Sequence, residues 1–278
     1  MRQEGTKERG KKTGKKGKHM RKGVCPEYHV KRGVSRERHA LPVYMVCLER
    51  KGGTSLYDRM PYTVGVAICC YHGHISALSA LFRSIDAQTR RPDQVVVSCS
   101  STSPEDIPYD VGSYSFSLQI VTCREKKNAA QNRNTAASYL QTDIVTFFDA
   151  DDLMHPQRIA AIHHGFSTHD VYFMVHSFQK SPVYVPYDGY SYHVNQLEVC
   201  PYGSILVRGH AHDRPIANGH CSVMRWILRE FAYPESVEYH GREDTVFSAR
   251  IIQKYPDHTL YGSQALSCYL PSGTGGAC

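Results

Sequence analysis

Asp143-Ile144-Val145-Thr146-Phe147-Phe148-Asp149-Ala150-Asp151-Asp152 decides the fold. Its apolar part is continuous rather than alternating, which predicts a strand buried on both faces of a mostly parallel sheet. The strand ends in three carboxylates within four positions. Open α/β sheets bind ligands at the carboxyl ends of their strands. Carboxylates held this close repel one another unless a cation shares the space. A hard divalent ion such as Mg²⁺, held by one or two carboxylates and by substrate phosphates, suits that position. The competing reading is a solvated strand-to-helix loop with Asp152 as the N-cap.

Working outward, the chain repeats a β-α rhythm. Val64 to Cys70 reads as a buried strand. Ile75 to Gln88 carries Ile75, Leu78, Leu81, Phe82 and Ile85 on one helical face, and Arg90 to Asp93 ends that helix at a proline. Gln94 to Ser100 and Leu118 to Cys123 read as the second and third strands, with an Ala-rich helix from Asn128 to Leu140. The second half is less regular. A strand is expected over Asp170 to Val175, loops and a hairpin over residues 181–205, a short helix over Ser222 to Phe231 and a helix over Thr245 to Tyr255. Leu41 to Leu48 reads as a strand or as irregular chain, Lys51 to Gly53 as a turn, and Ser272 to Cys278 as a frayed end. The result is a mostly parallel α/β sheet. No Gly-x-Gly-x-x-Gly follows the first strand and no P-loop motif occurs, which argues against dinucleotide oxidoreductases and P-loop nucleotidases.

Composition sets the outer bounds. The 278 residues suit one or two domains, and the chain has no apolar run long enough to cross a membrane and no secretory h-region at its start. The net charge of +7 is uneven: residues 1–40 hold fourteen Lys or Arg against four Glu, a net of +10, leaving the remainder at about −3. Residues 1–40 therefore read as a basic, disordered tail, either merely solvating or able to touch nucleic acid or an anionic membrane. The slightly acidic remainder shows no nucleic-acid motif, so nucleic acid is not an expected partner. Ten cysteines without a Cys-x-x-Cys pair read as reduced thiols in a cytoplasmic protein, with Cys69, Cys70, Cys99 and Cys123 in or beside strands.

Five segments, in order, resemble the inverting family 2 glycosyltransferases of GT-A fold. They are Val64 to Tyr71; Leu81 to Thr89 followed by Pro92 and Gln94 to Val97; Asn128 to Ala136 with its Arg133-Asn134 pair; Phe147 to Asp152; and Gly241-Arg242-Glu243-Asp244-Thr245-Val246-Phe247. The resemblance implies a GT-A domain over residues 63–255. Its nucleotide-sugar half is about 63–155 and its acceptor half about 156–255, with 256–278 as a C-terminal segment. It further implies a UDP- or GDP-sugar donor, a glycan or other hydroxyl acceptor, and Mn²⁺ or Mg²⁺ as cofactor.

Residue by residue, the resemblance implies donor contacts at Cys70, Tyr71, Ser100, Lys127, Arg133, Asp149 and Asp151, and metal ligands at Asp151 and Asp152. Asp149 would anchor the turn. Asp244 is the implied general base, with Glu243 orienting the acceptor; the competing reading of this pair is a helix N-terminus favoured by the dipole. Two positions depart from the family. Ser98, Cys99 and Ser100 stand where it usually has an Asp, and Cys268 to Pro271 stands where many members carry a late His. The cluster His210, His212, Asp213, His220 and Cys221 fits no standard zinc spacing. It reads better as acceptor-cleft lining, together with Tyr187, Tyr190, Tyr192 and Trp226, although Tyr-rich loops also occur without that role. The alternative to an enzyme is a catalytically inactive GT-A domain that binds nucleotide or glycan.

Overall fold

The computed structural model describes residues 29–32, 62–209 and 216–270. Twelve strands and four α-helices follow in the order β1 (His29–Arg32), β2 (Val64–Tyr71), α1 (Leu78–Asp86), β3 (Gln94–Ser100), β4 (Leu118–Cys123), α2 (Ala129–Ser138), β5 (Ile144–Asp149), β6 (Leu153–Met154), α3 (Arg158–Thr168), β7 (Phe173–Gln179), β8 (Tyr192–Val194), β9 (Leu197–Val199), β10 (Ile205–Val207), β11 (Ser222–Met224), α4 (Glu243–Lys254) and β12 (Thr259–Cys268). The main sheet runs β1-β4-β3-β2-β5-β11-β7-β12-β6, with β8 also paired to β12; β9 and β10 form a separate hairpin.

β4, β3, β2 and β5 are mutually parallel, as their continuous apolar runs require. Their side chains alternate between two cores. Val64, Val66, Ile68 and Phe148 pack with Leu81, Phe82 and Ile85 of α1 and Ile159, Ile162 and Phe166 of α3. Ala67, Val145 and Phe147 face Ala130, Ala136 and Ala137 of α2 and Phe247, Ile251 and Ile252 of α4. α2 is closed at its start by a reciprocal cap: the Gln131 amide N–H donates to the Asn128 side chain (2.9 Å), and the Asn128 N–H donates to Gln131 Oε1 (3.0 Å). The segment that leaves α2 runs close to β2, and Gly65 is the contact point. A Cβ there would strike Thr142 Oγ1 and come within 2.9 Å of Leu140 Cδ2.

Several expectations need correction. Ser222 to Met224 is not helical: it forms β11, antiparallel to both β5 and β7, and only Arg225–Arg229 turns, as a 3₁₀ segment. The backbone groups left open between β5 and β7 demand a strand, and that tertiary demand overrides the local pattern. The C-terminal segment 256–278 contains the ten-residue β12, parallel to β7. Two register irregularities between Gly262 and Ser267 break its alternation, which hides it from a period-2 reading. The strand expected at Asp170 to Val175 lies at Phe173–Gln179, and the first helix begins as a 3₁₀ turn over His72–Ala77. Within the basic tail, His29–Arg32 pairs antiparallel with β4, because β4 would otherwise present an open edge. The rest of residues 1–40, the readings at 41–53, and Ser272 to Cys278 lie outside the described residues. Among the described residues no helix is long and apolar enough to cross a membrane.

The close approach at Gly65 generates a test. Gly65→Val should cost about 1–3 kcal/mol of stability through overpacking. The check is a lower urea midpoint with an unchanged denaturant slope.

Candidate active site

The carboxyl ends of β2 and β3 open into a cleft of about 660 Å³. Its walls include Cys69, Cys70, Tyr71 and His74 from the end of β2, Ser100 and Ser101 from β3, and Lys126 to Asn132 at the start of α2. Val237 to Gly241 and Glu243 close the far side.

Asp149, the last residue of β5, sits at the centre of the charge arrangement. Its Oδ1 accepts from Arg133 Nη2 at 2.7 Å and from the Cys69 thiol at 2.9 Å, while Oδ2 lies 3.4 Å from His220 Nε2. The same imidazole nitrogen is 3.3 Å from Asp152 Oδ2. Asp152 Oδ1 is fixed by the Leu270 amide N–H at 3.1 Å. Asp149, Asp152 and His220 each offer a ligand atom, and these atoms lie within 4.8 Å of one another. Two carboxylates and an imidazole so arranged suit Mn²⁺, and Mg²⁺ is also compatible through its oxygen ligands. Phe148 and Tyr269 stack on the two sides of the His220 ring, with centroids 4.2 and 5.0 Å away.

Arg133 links this cluster to α4. Its side chain is only 5% exposed, and its other terminal nitrogen donates to Glu243 Oε1 at 2.7 Å. The guanidinium also lies over the Tyr233 ring, 5.2 Å from its centroid. Both ends of Arg133 are thus committed to protein carboxylates. Asp244 begins α4 beside Glu243, and its Oδ1 accepts the Thr245 N–H at 2.6 Å. The local backbone turns through Gly241 at φ +76°, a left-handed conformation that favours glycine. Gly219 marks where the groups converge: a Cβ there would lie 3.3 Å from Arg133 Nη2, 3.5 Å from Asp149 Oδ2 and 3.6 Å from Asp244 Oδ2.

These contacts set the protonation states. Burial pushes the Asp149 carboxyl up, but Arg133, His220 and the Cys69 thiol outweigh it and hold Asp149 well below the usual carboxylate range. Burial works against a charged His220, yet its contacts with Asp149 and Asp152 prevail and raise it above the ordinary imidazole value. Asp152 is pushed up by burial and by neighbouring Asp149 and Asp151. Asp244 is also raised, by burial first and then by Glu243 and Asp149, against the opposing pull of Arg133.

The expected site residues separate into groups. Cys70, Tyr71, Ser100, Lys127 and Glu243 line the cleft. Ser100 Oγ accepts from Asn132 Nδ2 at 2.9 Å, and Lys127 Nζ reaches Thr135 Oγ1 at 3.3 Å. Asp151 does not join Asp152 as a ligand pair; it turns to His74, 3.7 Å away, because consecutive carboxylates on a turn diverge. Cys221 points away from the cluster into the core, with Sγ 3.4 Å from the Tyr233 hydroxyl. Tyr187, Tyr190, Tyr192 and Trp226 do not line the cleft. The three tyrosines pack against the core beside α3, where Tyr192 donates to the Ala161 carbonyl, and Trp226 packs edge-on against Tyr172 and Tyr255. His210, His212 and Asp213 lie outside the described residues. His220 enters the cluster only through tertiary structure: no spacing in the sequence ties it to Asp149.

A parallel-centred α/β sheet with carboxylates at the end of β5, beside a nucleotide-sized cleft at the ends of β2 and β3, is the architecture of a GT-A glycosyltransferase. Residues 65–230 match the sequence profile of Glycosyl transferase family 2, and the chain belongs to that family. Among solved structures, S. aureus TarS 1-349 in complex with UDP superposes with a TM-score of 0.56 at 14% identity, over 75% of this chain and 60% of that one. A second crystal structure of the same TarS fragment gives 0.56 at 16% identity, over 76% and 61%. Its complex with UDP-GlcNAc gives 0.54 at 14% identity, over 75% and 58%. At such identities the likeness establishes the fold, and the chain spans about three-fifths of those structures. No curated protein matches the chain significantly.

Two outcomes follow from the charge arrangement. Arg133→Met leaves Asp149 and Glu243 facing each other without their cation, and should destabilise the fold by about 3–5 kcal/mol in chemical denaturation. His220, held above its ordinary value, contributes stability that is complete below about pH 6.5 and is lost as pH rises through the folded-state value. Metal-free protein should therefore lose stability as pH rises above about 6.5, and His220→Gln should flatten that slope in urea titrations run with EDTA.

Proposed function

We propose that this chain is an inverting glycosyltransferase that moves a sugar from a nucleoside-diphosphate donor to a hydroxyl acceptor with the help of a divalent cation. The observation that carries the reading is the convergence at Gly219. A cation-binding cluster of Asp149, Asp152 and His220 and the half-buried carboxylate of Asp244 face one another there, beside a cleft large enough for a nucleotide. TarS, a structural neighbour, has been crystallised with UDP and UDP-GlcNAc, which favours a UDP-sugar here.

In this reading the nucleotide lies along the ends of β2 and β3, between Cys70, Tyr71 and Ser100, with Lys127 toward the phosphates. Asp151, at the mouth beside His74, meets the ribose. Asp149, Asp152 and His220 would hold Mn²⁺ or Mg²⁺, which would supply charge to offset that developing on the departing diphosphate. The acceptor oxygen attacks the anomeric carbon from the side opposite the phosphate; the C–O bond to phosphate breaks and its electron pair leaves with the diphosphate. Asp244 takes the acceptor proton, a role its raised affinity for protons suits. Arg133 holds Glu243 in place beside Asp244 rather than touching the donor.

The test is release of free nucleotide from UDP-, GDP- and dTDP-sugars with Mn²⁺ or Mg²⁺. One donor should turn over slowly even without acceptor. Asp244→Asn should lower transfer by about 10²–10⁴-fold, the range of a general base. Asp152→Ala should abolish the metal-dependent rate. Failure of every donor to bind folded, metal-supplied protein would replace this reading with a non-catalytic GT-A domain.

A further inference from the structure

Arg158, at the start of α3, is fully buried. Among the described residues no carboxylate lies within ion-pair distance of it, and its contacts are instead neutral groups on four segments of the sheet. Nη2 donates to Thr146 Oγ1 (2.8 Å) and the Phe147 carbonyl (3.3 Å) on β5, and to the His220 carbonyl just before β11 (2.8 Å). Nη1 donates to Ser267 Oγ on β12 (3.0 Å) and to His176 Nε2 on β7. His176 can accept there because its Nδ1 donates to the Ser177 carbonyl at 2.6 Å, which leaves the lone pair on Nε2. The guanidinium also lies 4.9 Å from the Phe148 ring centroid. Burial pulls Arg158 down to about 9, still charged at neutral pH.

Burying a cation without a direct counter-ion is costly. What Arg158 touches explains the location. It binds β5 immediately before Asp149, it binds the backbone of His220, and it binds Ser267, whose Oγ is 2.9 Å from His220 Nδ1. Arginine can only donate, so it occupies one lone pair of Ser267 Oγ and leaves the other open to a Nδ1–H. A histidine that binds a cation through Nε2 keeps its proton on Nδ1 and needs such an acceptor to fix the ring.

We propose that Arg158 and Ser267 form a relay that positions His220, joining its ring and its backbone to β5 so that Nε2 stays aimed between Asp149 and Asp152. Both are positioning residues, since neither touches the cleft. The inference rests on the cation reading of the Asp149–Asp152–His220 cluster, and the experiment separates the two.

The full chain would be titrated with Mn²⁺ alone, following the free-ion signal by electron paramagnetic resonance, for wild type, His220→Ala, Ser267→Ala and Arg158→Lys. Ser267→Ala deletes one buried hydroxyl without changing charge, and its Mn²⁺-free melting temperature shows whether the fold is kept. The expected result is a Mn²⁺ dissociation constant raised about 10–100-fold in folded Ser267→Ala, as for other groups that orient a metal-bound histidine. Arg158→Lys should weaken binding at least as much, and if it fails to fold Ser267→Ala decides. Wild-type affinity in folded Ser267→Ala, with His220→Ala impaired, would overturn the relay and leave the cation site standing. No Mn²⁺ binding by wild type, or none lost in His220→Ala, would overturn the cation reading and the relay with it.

Discussion

The structure of the site depends on one constraint: several carboxylates must share a small, partly dry volume. Asp149, Asp152, Glu243 and Asp244 come from separate parts of the chain, and their mutual repulsion has to be offset where water cannot screen it. Arg133 meets this demand on one side by bridging Asp149 and Glu243, and His220 meets it on the other by standing between Asp149 and Asp152. Asp149 is the shared member, one oxygen toward each cation. Its carboxylate is thereby kept ionised, while Asp152 and Asp244 bind protons more readily than usual. A divalent ion displacing the proton of His220 would complete the same balance with a stronger charge.

The sheet explains why these groups meet. The parallel strands β2, β3 and β5 deliver Cys69, Ser100 and Asp149 to one edge, as doubly wound sheets do. The antiparallel insertion of β11 between β5 and β7 is the less ordinary feature. It reverses the chain direction beside β5, so the residues entering β11, Gly219 and His220, arrive level with the residues leaving β5. β12 then runs parallel to β7 and carries Ser267 under His220 and Leu270 to Asp152. Gly219 has no side chain, and a Cβ there would press on Arg133 Nη2 at 3.3 Å while sitting in ordinary contact with Asp149 and Asp244.

Much of the first half was legible in the sequence. The strand limits at Gln94–Ser100 and Leu118–Cys123 follow from short runs rich in Val, Ile and Thr, and the helix after Asn128 follows from its alanines, whereas its reciprocal cap with Gln131 emerged only in the structure. The second half was harder, because its elements are held by partners rather than by pattern. Ser222 to Met224 is too short to show a period of its own, and β12 loses its alternation at two irregularities. The histidine-rich stretch invited a reading by proximity in sequence. His220 closes the 3₁₀ turn Asn218–His220 and Cys221 follows it into β11, so the two neighbours part, one toward the acidic cluster and the other toward Tyr233.

The sequence by itself determined the strand and helix order of residues 64–149, the acidic end of β5 and the acidic pair that opens α4, because these depend on periodicity and on side chains close in the chain. Only the tertiary structure decided which charges pair. Arg133 meets Glu243 across 110 residues, His220 meets Asp149 across 71, and Arg158 reaches Ser267 across 109. Contacts of that range are fixed by strand order and by the requirement that buried charges find partners, and neither is written in any local window of the chain.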